Sequence, residues 1–170
     1  MSQANPSESY HMLENSARHN APQVSLRKLS RGMDLTEKAI RDRCLVFVFG
    51  SNLAGQHGAG AAAHAESHWG AVRGQAEGLH GQSYAVPTKT AAFHTMPVRQ
   101  ITPHVEKLNA FTLTRPGLMF KVTRIGCGIA GFDDLDIAPL FVGAPDNCLF
   151  DTAWYQTIGA GVSIGDMSNE

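Results

Sequence analysis

The sequence predicts an α/β fold built on a largely parallel central sheet. Three observations carry this. Leu45–Phe49 is an uninterrupted run of apolar, β-branched and aromatic residues, the pattern of a strand buried on both faces. Strand-like and helix-like segments alternate along the chain, as they do where crossover helices join parallel strands. Two apolar runs end in glycine-rich turns, one from Gly50 to Gly60 and one from Gly126 to Phe132. Ligands of such sheets sit at the carboxyl ends of strands, in the crevice where strand order reverses.

Composition sets the outer bounds. The chain has 170 residues, enough for one domain with one core. Of its 17 glycines, most fall between Gly50 and Gly81 or between Gly126 and Gly131. The excess is therefore local, which favours a backbone-lined site over general flexibility. A formal net charge of −1 argues against a large electrostatic footprint for nucleic acid or an anionic membrane, though not against a nucleic acid held by a few contacts. Cys44, Cys127 and Cys148 are an odd, widely spaced set, read as reduced thiols of a cytoplasmic protein. No apolar run approaches the ~18 residues of a membrane span. The N-terminus lacks a signal-peptide pattern.

The elements follow in order. Residues 1–28 are polar, lack apolar periodicity and read as a flexible leader. Met33–Arg43 reads as a short helix, with Asp34 and Glu37 resembling a capping box. Leu45–Phe49 is the first strand. Ala59–Trp69 is a helix whose Ala61, Ala62, Ala63 and Ala65 let it lie close to the sheet. Gly70–Gly81 is a loop or hairpin, and Ser83–Val86 a strand stopped by Pro87. Ile101–Thr114 is an amphipathic helix, striped by Ile101, Val105, Leu108, Phe111 and Thr112 and ended by Pro116-Gly117. Leu118–Ile125 is the next strand, Asp134–Val142 a short helix, and Asn147–Phe150 the last strand. The chain thus divides into a leader with a short helix (1–43), a domain (44–156) and a loose glycine-rich tail (157–170). No repeat of a solenoid period is present.

Two glycine turns side by side form two backbone nests, and two nests hold two phosphates. The pattern points to a diphosphate-bridged nucleotide. Gly58-Ala59-Gly60 opens a helix, whose unpaired N–H groups and positive dipole end suit a phosphate; the alternative is a tight connector without a ligand. Gly58-x-Gly60-x-x-Ala63 fits the dinucleotide fingerprint only loosely, since the acidic residue expected after it is missing. No Gly-Lys-Ser/Thr follows, so a Walker A loop is absent. In Gly126-Cys127-Gly128-Ile129-Ala130-Gly131-Phe132, the glycines admit close backbone approach, and Phe132 either covers a ribose or base or packs in the core.

Single side chains leave alternatives open. Cys127 invites a nucleophile reading, but no Cys-His-Asp constellation is legible, and a packed small residue is favoured. His64 and His68 stand four apart with His57 nearby. The further ligands are missing, so no metal site is expected. Asn52, just past a strand end, serves either a ribose or a turn. Lys89 follows Tyr84-Ala-Val-Pro-Thr near the expected crevice, or is a solvated loop lysine.

Together these segments resemble the macrodomain family, the ADP-ribose-binding module. They come nearest to its branch of terminal ADP-ribose protein glycohydrolases and of antitoxins that remove ADP-ribose from DNA. Gly58-Ala-Gly-Ala-Ala-Ala-His-Ala-Glu-Ser-His-Trp-Gly70 resembles the branch's "GAG or GKG, then helix, then Phe-Gly" segment. Ser83-Tyr-Ala-Val-Pro-Thr-Lys89 resembles its strand ending in Pro-Thr-Lys, and Arg124-Ile-Gly-Cys-Gly-Ile-Ala-Gly-Phe132 its Gly-Cys-Gly-Leu loop. The chain also resembles short proteins carried by phages. The likeness runs from about Leu45 to Phe150.

The resemblance implies a three-layer α/β/α macrodomain-like sandwich that binds ADP-ribose or a related nucleotide and removes ADP-ribose from a modified protein or DNA. The implied ligand site comprises Gly50, Ser51, Asn52 and Leu53; Gly58, Ala59 and Gly60; Thr88; and Gly126, Cys127, Gly128, Ile129, Ala130, Gly131 and Phe132. Lys89 matches the lysine linked in the family to that removal, acting on the distal ribose; such a role needs a lowered pKa. No metal, cofactor or membrane partner is implied. Two departures stand out. Ala130 occupies the place where some glycohydrolases carry an acid/base Asp, although the DNA-directed antitoxins also lack it. Gly32-Met-Asp34-Leu-Thr only echoes the family's adenine-contacting Gly-Asp-Ile/Val, and Asp34 reads better as a helix cap. Two alternatives to a hydrolase remain: a non-catalytic reader or sequestering protein for an ADP-ribose-derived signal in phage–host conflict, and a structural protein that retains the fold.

Overall fold

A computed structural model describes residues 44–158 and 162–163. The expected leader, and the helix at Met33–Arg43 with its capping box, lie outside the described residues. The fold is mixed α/β. In chain order come β1 (Leu45–Asn52), α1 (Gly60–His68), β2 (Gly78–His80), β3 (Ser83–Lys89), α2 (Val98–Leu113) and β4 (Met119–Val122). Then follow α3 (Asp134–Ile137), which continues as a 3₁₀ turn over Ala138–Phe141, β5 (Cys148–Phe150), α4 (Thr152–Ile158) and β6 (Val162–Ser163). The sheet has six strands in the order β2-β3-β1-β4-β5-β6. Only the β2–β3 pairing is antiparallel.

β1 owes its central place to its composition. Its side chains alternate between two apolar clusters, one on each face of the sheet. Val46 and Val48 join Tyr84, Val86, Phe120, Val122 and the buried stripe of α2: Ile101, Val105 and Leu108. Leu45, Phe47 and Phe49 join Ala85, Leu149 and the small residues Ala62 and Ala65 of α1. Each fully buried side chain of Val, Leu, Ile or Phe size contributes about 1.5–3 kcal/mol. The two clusters therefore hold β1 more firmly than any local propensity could.

Several boundaries differ from those the sequence predicts. β3 does not stop at Pro87 but runs through it to Lys89. β2 has already ended there, its last partner being Ala85, so at Pro87 itself only β1 is paired with β3 and a missing N–H is tolerated. The β1–β3 register also shifts between Ser51 and Asn52, opposite Pro87. α2 begins at Val98, ahead of the expected Ile101, and contains Pro103. β4 is shorter than the expected Leu118–Ile125, because the chain leaves the sheet at Thr123 to form the second glycine turn. Asn147–Phe150 is not the last strand. Of the tail expected to be loose from Thr157, Thr157 and Ile158 finish α4, with Ile158 buried in the core, and Val162–Ser163 form β6; its other residues lie outside the described residues. Among the described residues no helix is long and apolar enough to cross a membrane.

Candidate functional site

β1 is flanked by two parallel partners, β3 and β4. The chain passes from β1 to β3 on one side, then crosses by α2 to β4 on the other. Strand order thus reverses around β1, and the crevice beyond the carboxyl ends of these strands is where an α/β sheet takes a ligand. A cleft of about 540 Å³ opens there. Of the residues expected at the site, Gly50, Ser51, Asn52, Gly58, Ala59, Gly60, Thr88, Lys89, Gly126, Cys127, Gly128, Ile129 and Ala130 line it. Leu53, Gly131 and Phe132 do not.

Asn52 builds the first turn. Its Oδ1 accepts the N–H groups of Ala54 at 3.2 Å and Gln56 at 3.1 Å, and its Nδ2 donates to the Gln56 carbonyl at 2.6 Å. The side-chain oxygen is thereby filled, and the turn-former alternative is the one the geometry favours over a ribose contact. Gly55 is needed here. It is left-handed at φ 64°, and a β-carbon on it would come within 2.5 Å of the Gly74 backbone. Ser51 Oγ donates to the Ala76 carbonyl, and buried His57 approaches the Val72 carbonyl through Nε2 at 3.2 Å. The 70–76 loop thus buttresses the turn. α1 then starts at Gly60, left-handed at φ 56°, with no side chain capping it and no acidic residue in its first turn. Its leading N–H groups are open to an anion.

The second turn is fastened at both ends. Thr123 donates to the Val48 carbonyl through its backbone N–H at 3.1 Å and its hydroxyl at 2.9 Å. Gly126 is left-handed, and the loop closes where the Phe132 N–H meets the Gly126 carbonyl at 3.0 Å. The Phe132 ring packs against the core cluster beside Gly126 and Ile137. Phe132 is thus partly buried against the core, the packing its alternative reading expects. Leu53 is turned to solvent, and its N–H binds the Lys89 carbonyl at 2.9 Å.

Arg124 and Asp134 form a two-pronged ion pair, Nε to Oδ1 at 2.8 Å and a terminal nitrogen to Oδ2. The indole N–H of buried Trp154 donates to the same Oδ1 at 2.6 Å. The Arg124 guanidinium foremost, then the Trp154 indole, holds the Asp134 carboxyl below its ordinary range. This bracket ties the turn to α3 and α4. Cys127 lines the cleft, yet burial foremost and the Asp134 carboxylate next push its thiol up to about 12. A protonated thiol is a poor nucleophile.

Lys89 is half-buried at the end of β3, beside Thr88, whose hydroxyl donates to the Ser51 carbonyl at 3.3 Å. Sequence reasoning missed Phe47, Gln56, His64, Phe93, Lys121, Thr123 and Arg124, which also line the cleft. Lys121 carried a signal: it is a lone cation inside the apolar run Met119–Val122. Its Nζ lies 5.9 Å from the centre of the Phe47 ring. His64 packs edge-on to Phe47, while His68 stacks on His64 and turns Nδ1 to its carbonyl at 3.2 Å. Among the described residues no three His, Cys, Asp or Glu are grouped to hold a metal. Lys89, Lys121 and Arg124 line the cleft, Arg124 with its charge matched by Asp134 and Lys121 buried, and among the described residues no carboxylate lines it. Comparison of the chain with protein-family models, with curated proteins and with solved structures finds no match.

Proposed function

We propose that the cleft binds ADP-ribose or a closely related diphosphate-bridged nucleotide, on a three-layer macrodomain-like sandwich. The observation that carries this is the meeting of both glycine turns, an uncapped helix start and Lys89 in one cleft at the strand-order reversal. Backbone N–H groups at Gly58–Gly60 and Gly126–Ala130 would hold the diphosphate, and Lys89 would act on the distal ribose to release ADP-ribose from a modified macromolecule. A calorimetric titration with ADP-ribose tests the binding. At ligand near 100 times the dissociation constant, linkage adds about 2.7 kcal/mol to stability. A silent titration together with an unmoved melting curve would overturn the reading.

A second reading, a non-catalytic reader or sequestering protein, is favoured by one observation. Among the described residues no carboxylate lines the cleft, and Ala130 stands where some glycohydrolases carry an acid/base Asp. Release of labelled ADP-ribose from modified protein or DNA separates the two.

A further inference from the structure

The chain spends backbone strain on one aromatic ring at the cleft rim. Phe93 is left-handed at φ 64°, alone among the described residues other than glycine. A residue with a β-carbon resists this conformation, and glycine adopts it freely. The surrounding turn does not need the ring. Lys89 and Thr95 pair in an isolated antiparallel bridge. Within it the Thr90 N–H meets the His94 carbonyl at 2.8 Å, the Phe93 N–H meets the Thr90 carbonyl at 3.0 Å, and Thr90 Oγ1 accepts the His94 N–H at 3.2 Å. All of these bonds use backbone or the Thr90 hydroxyl, so glycine or asparagine would serve the turn at position 93.

Nor does core packing explain the ring. Phe93 is 47% exposed, and it stands outside both apolar clusters. Yet it lines the cleft together with Lys89. The turn that carries it is tethered, because Thr95 donates from its hydroxyl to the Ala130 carbonyl at 2.9 Å. That bond ties the turn to the second glycine turn. Strain of this kind persists where the surroundings over-determine it, and it gathers at ligand-binding sites. An aromatic face on such a turn, next to a cation and an anion cradle, suits a planar ring attached to a phosphate-bearing ligand.

We propose that Phe93 is a stacking platform that selects ligands carrying a planar ring at the Lys89 end of the cleft. This rests on the nucleotide reading given above. The ring has two sources: the adenine of the nucleotide itself, or a planar group attached to its far ribose.

The test measures dissociation constants of pyrophosphate, ADP, ADP-ribose and NAD for the full chain and for Phe93→Ala, Phe93→Gly and Phe93→Trp. Ligands that carry the stacked ring lose about tenfold or more with Ala and Gly and keep their affinity with Trp, while pyrophosphate is unchanged. A loss already present for ADP identifies adenine as the stacked ring and reverses the ligand in the cleft, which takes Lys89 off the distal ribose. A loss confined to NAD identifies the group on the far ribose. Phe93→Gly melts no lower than the native chain, because glycine suits the left-handed turn, so weakened binding is not unfolding. If Phe93→Gly binds all four ligands as tightly as the native chain, or weakens pyrophosphate as much as the others, the platform is overturned while the nucleotide reading stands. If the native chain binds none of the four, both fall.

Discussion

Ile129 reaches across the cleft to Gly60: a β-carbon built on Gly60 would lie 3.2 Å from Ile129 Cδ1. The two glycine turns, far apart in sequence, thus touch at the point where α1 begins. Ile129 is itself 66% exposed. A ligand entering between the turns must meet this contact. The glycines of the two turns are therefore not equivalent.

Gly60 has a left-handed backbone, whereas Gly128 has no such constraint and open space where its β-carbon would stand. Gly60→Ala should cost about 1–2 kcal/mol of stability, read as a lower melting midpoint. Gly128→Val should leave stability nearly unchanged yet weaken ADP-ribose, because the branched side chain crowds the turn that would hold the phosphate. Calorimetry beside a melting curve checks both. Full affinity in a folded Gly128→Val chain would mean that this turn is only a connector.

The Arg124–Asp134 pair makes the second turn pH-sensitive. With the Asp134 carboxyl held below its ordinary pKa of about 3.9, its contribution is present above that value and is lost as pH falls through the folded pKa. Asp134→Asn should lower stability at neutral pH by about 1–3 kcal/mol, since Arg124 and the Trp154 indole lose a charged acceptor. It should also flatten the acid limb of the curve of melting midpoint against pH. An unchanged acid limb would show that the pair contributes nothing to the fold.

Cys127 should be inert although it lines the cleft. With its thiol pushed up to about 12, the thiolate needed for alkylation is scarce at neutral pH. Iodoacetamide should label Cys127 more slowly in the folded chain than in the denatured chain, and Cys127→Ala should keep ADP-ribose affinity. Rapid labelling that blocks binding would restore the nucleophile reading.

What the sequence made legible was periodic or punctuated. The unbroken apolar run of β1, the stripe of α2 and the glycines of both turns each announce themselves without knowledge of the fold. β2 and β6 span three and two residues, too few for an alternation to show. Pro87 reads as a stop because the missing neighbour strand is a tertiary fact. Phe47 and Lys121 join the site only because the β1–β4 register sets them side by side on one face. The bond from Trp154 to Asp134 spans 20 residues, and no local pattern encodes it. Phe93 needed its backbone angle to stand out.

Lys89 is the residue on which catalysis and mere binding part. It lines the cleft at the end of β3, and among the described residues its ammonium has no ion-pair partner. The diphosphate would be held elsewhere, by backbone N–H groups of the two glycine turns. Removing the lysine should then spare ground-state binding, apart from a modest loss of charge attraction, and abolish a step that acts on the distal ribose. Lys89→Ala should bind ADP-ribose within about threefold of the native chain, a difference of less than 1 kcal/mol. In a hydrolase it should also stop release of labelled ADP-ribose from modified DNA or protein. Equal release by both chains would exclude Lys89 as the catalyst. Tight binding with no release by either would favour the reader, in which the cleft grips the nucleotide and, lacking a carboxylate at Ala130, leaves the glycosidic bond intact.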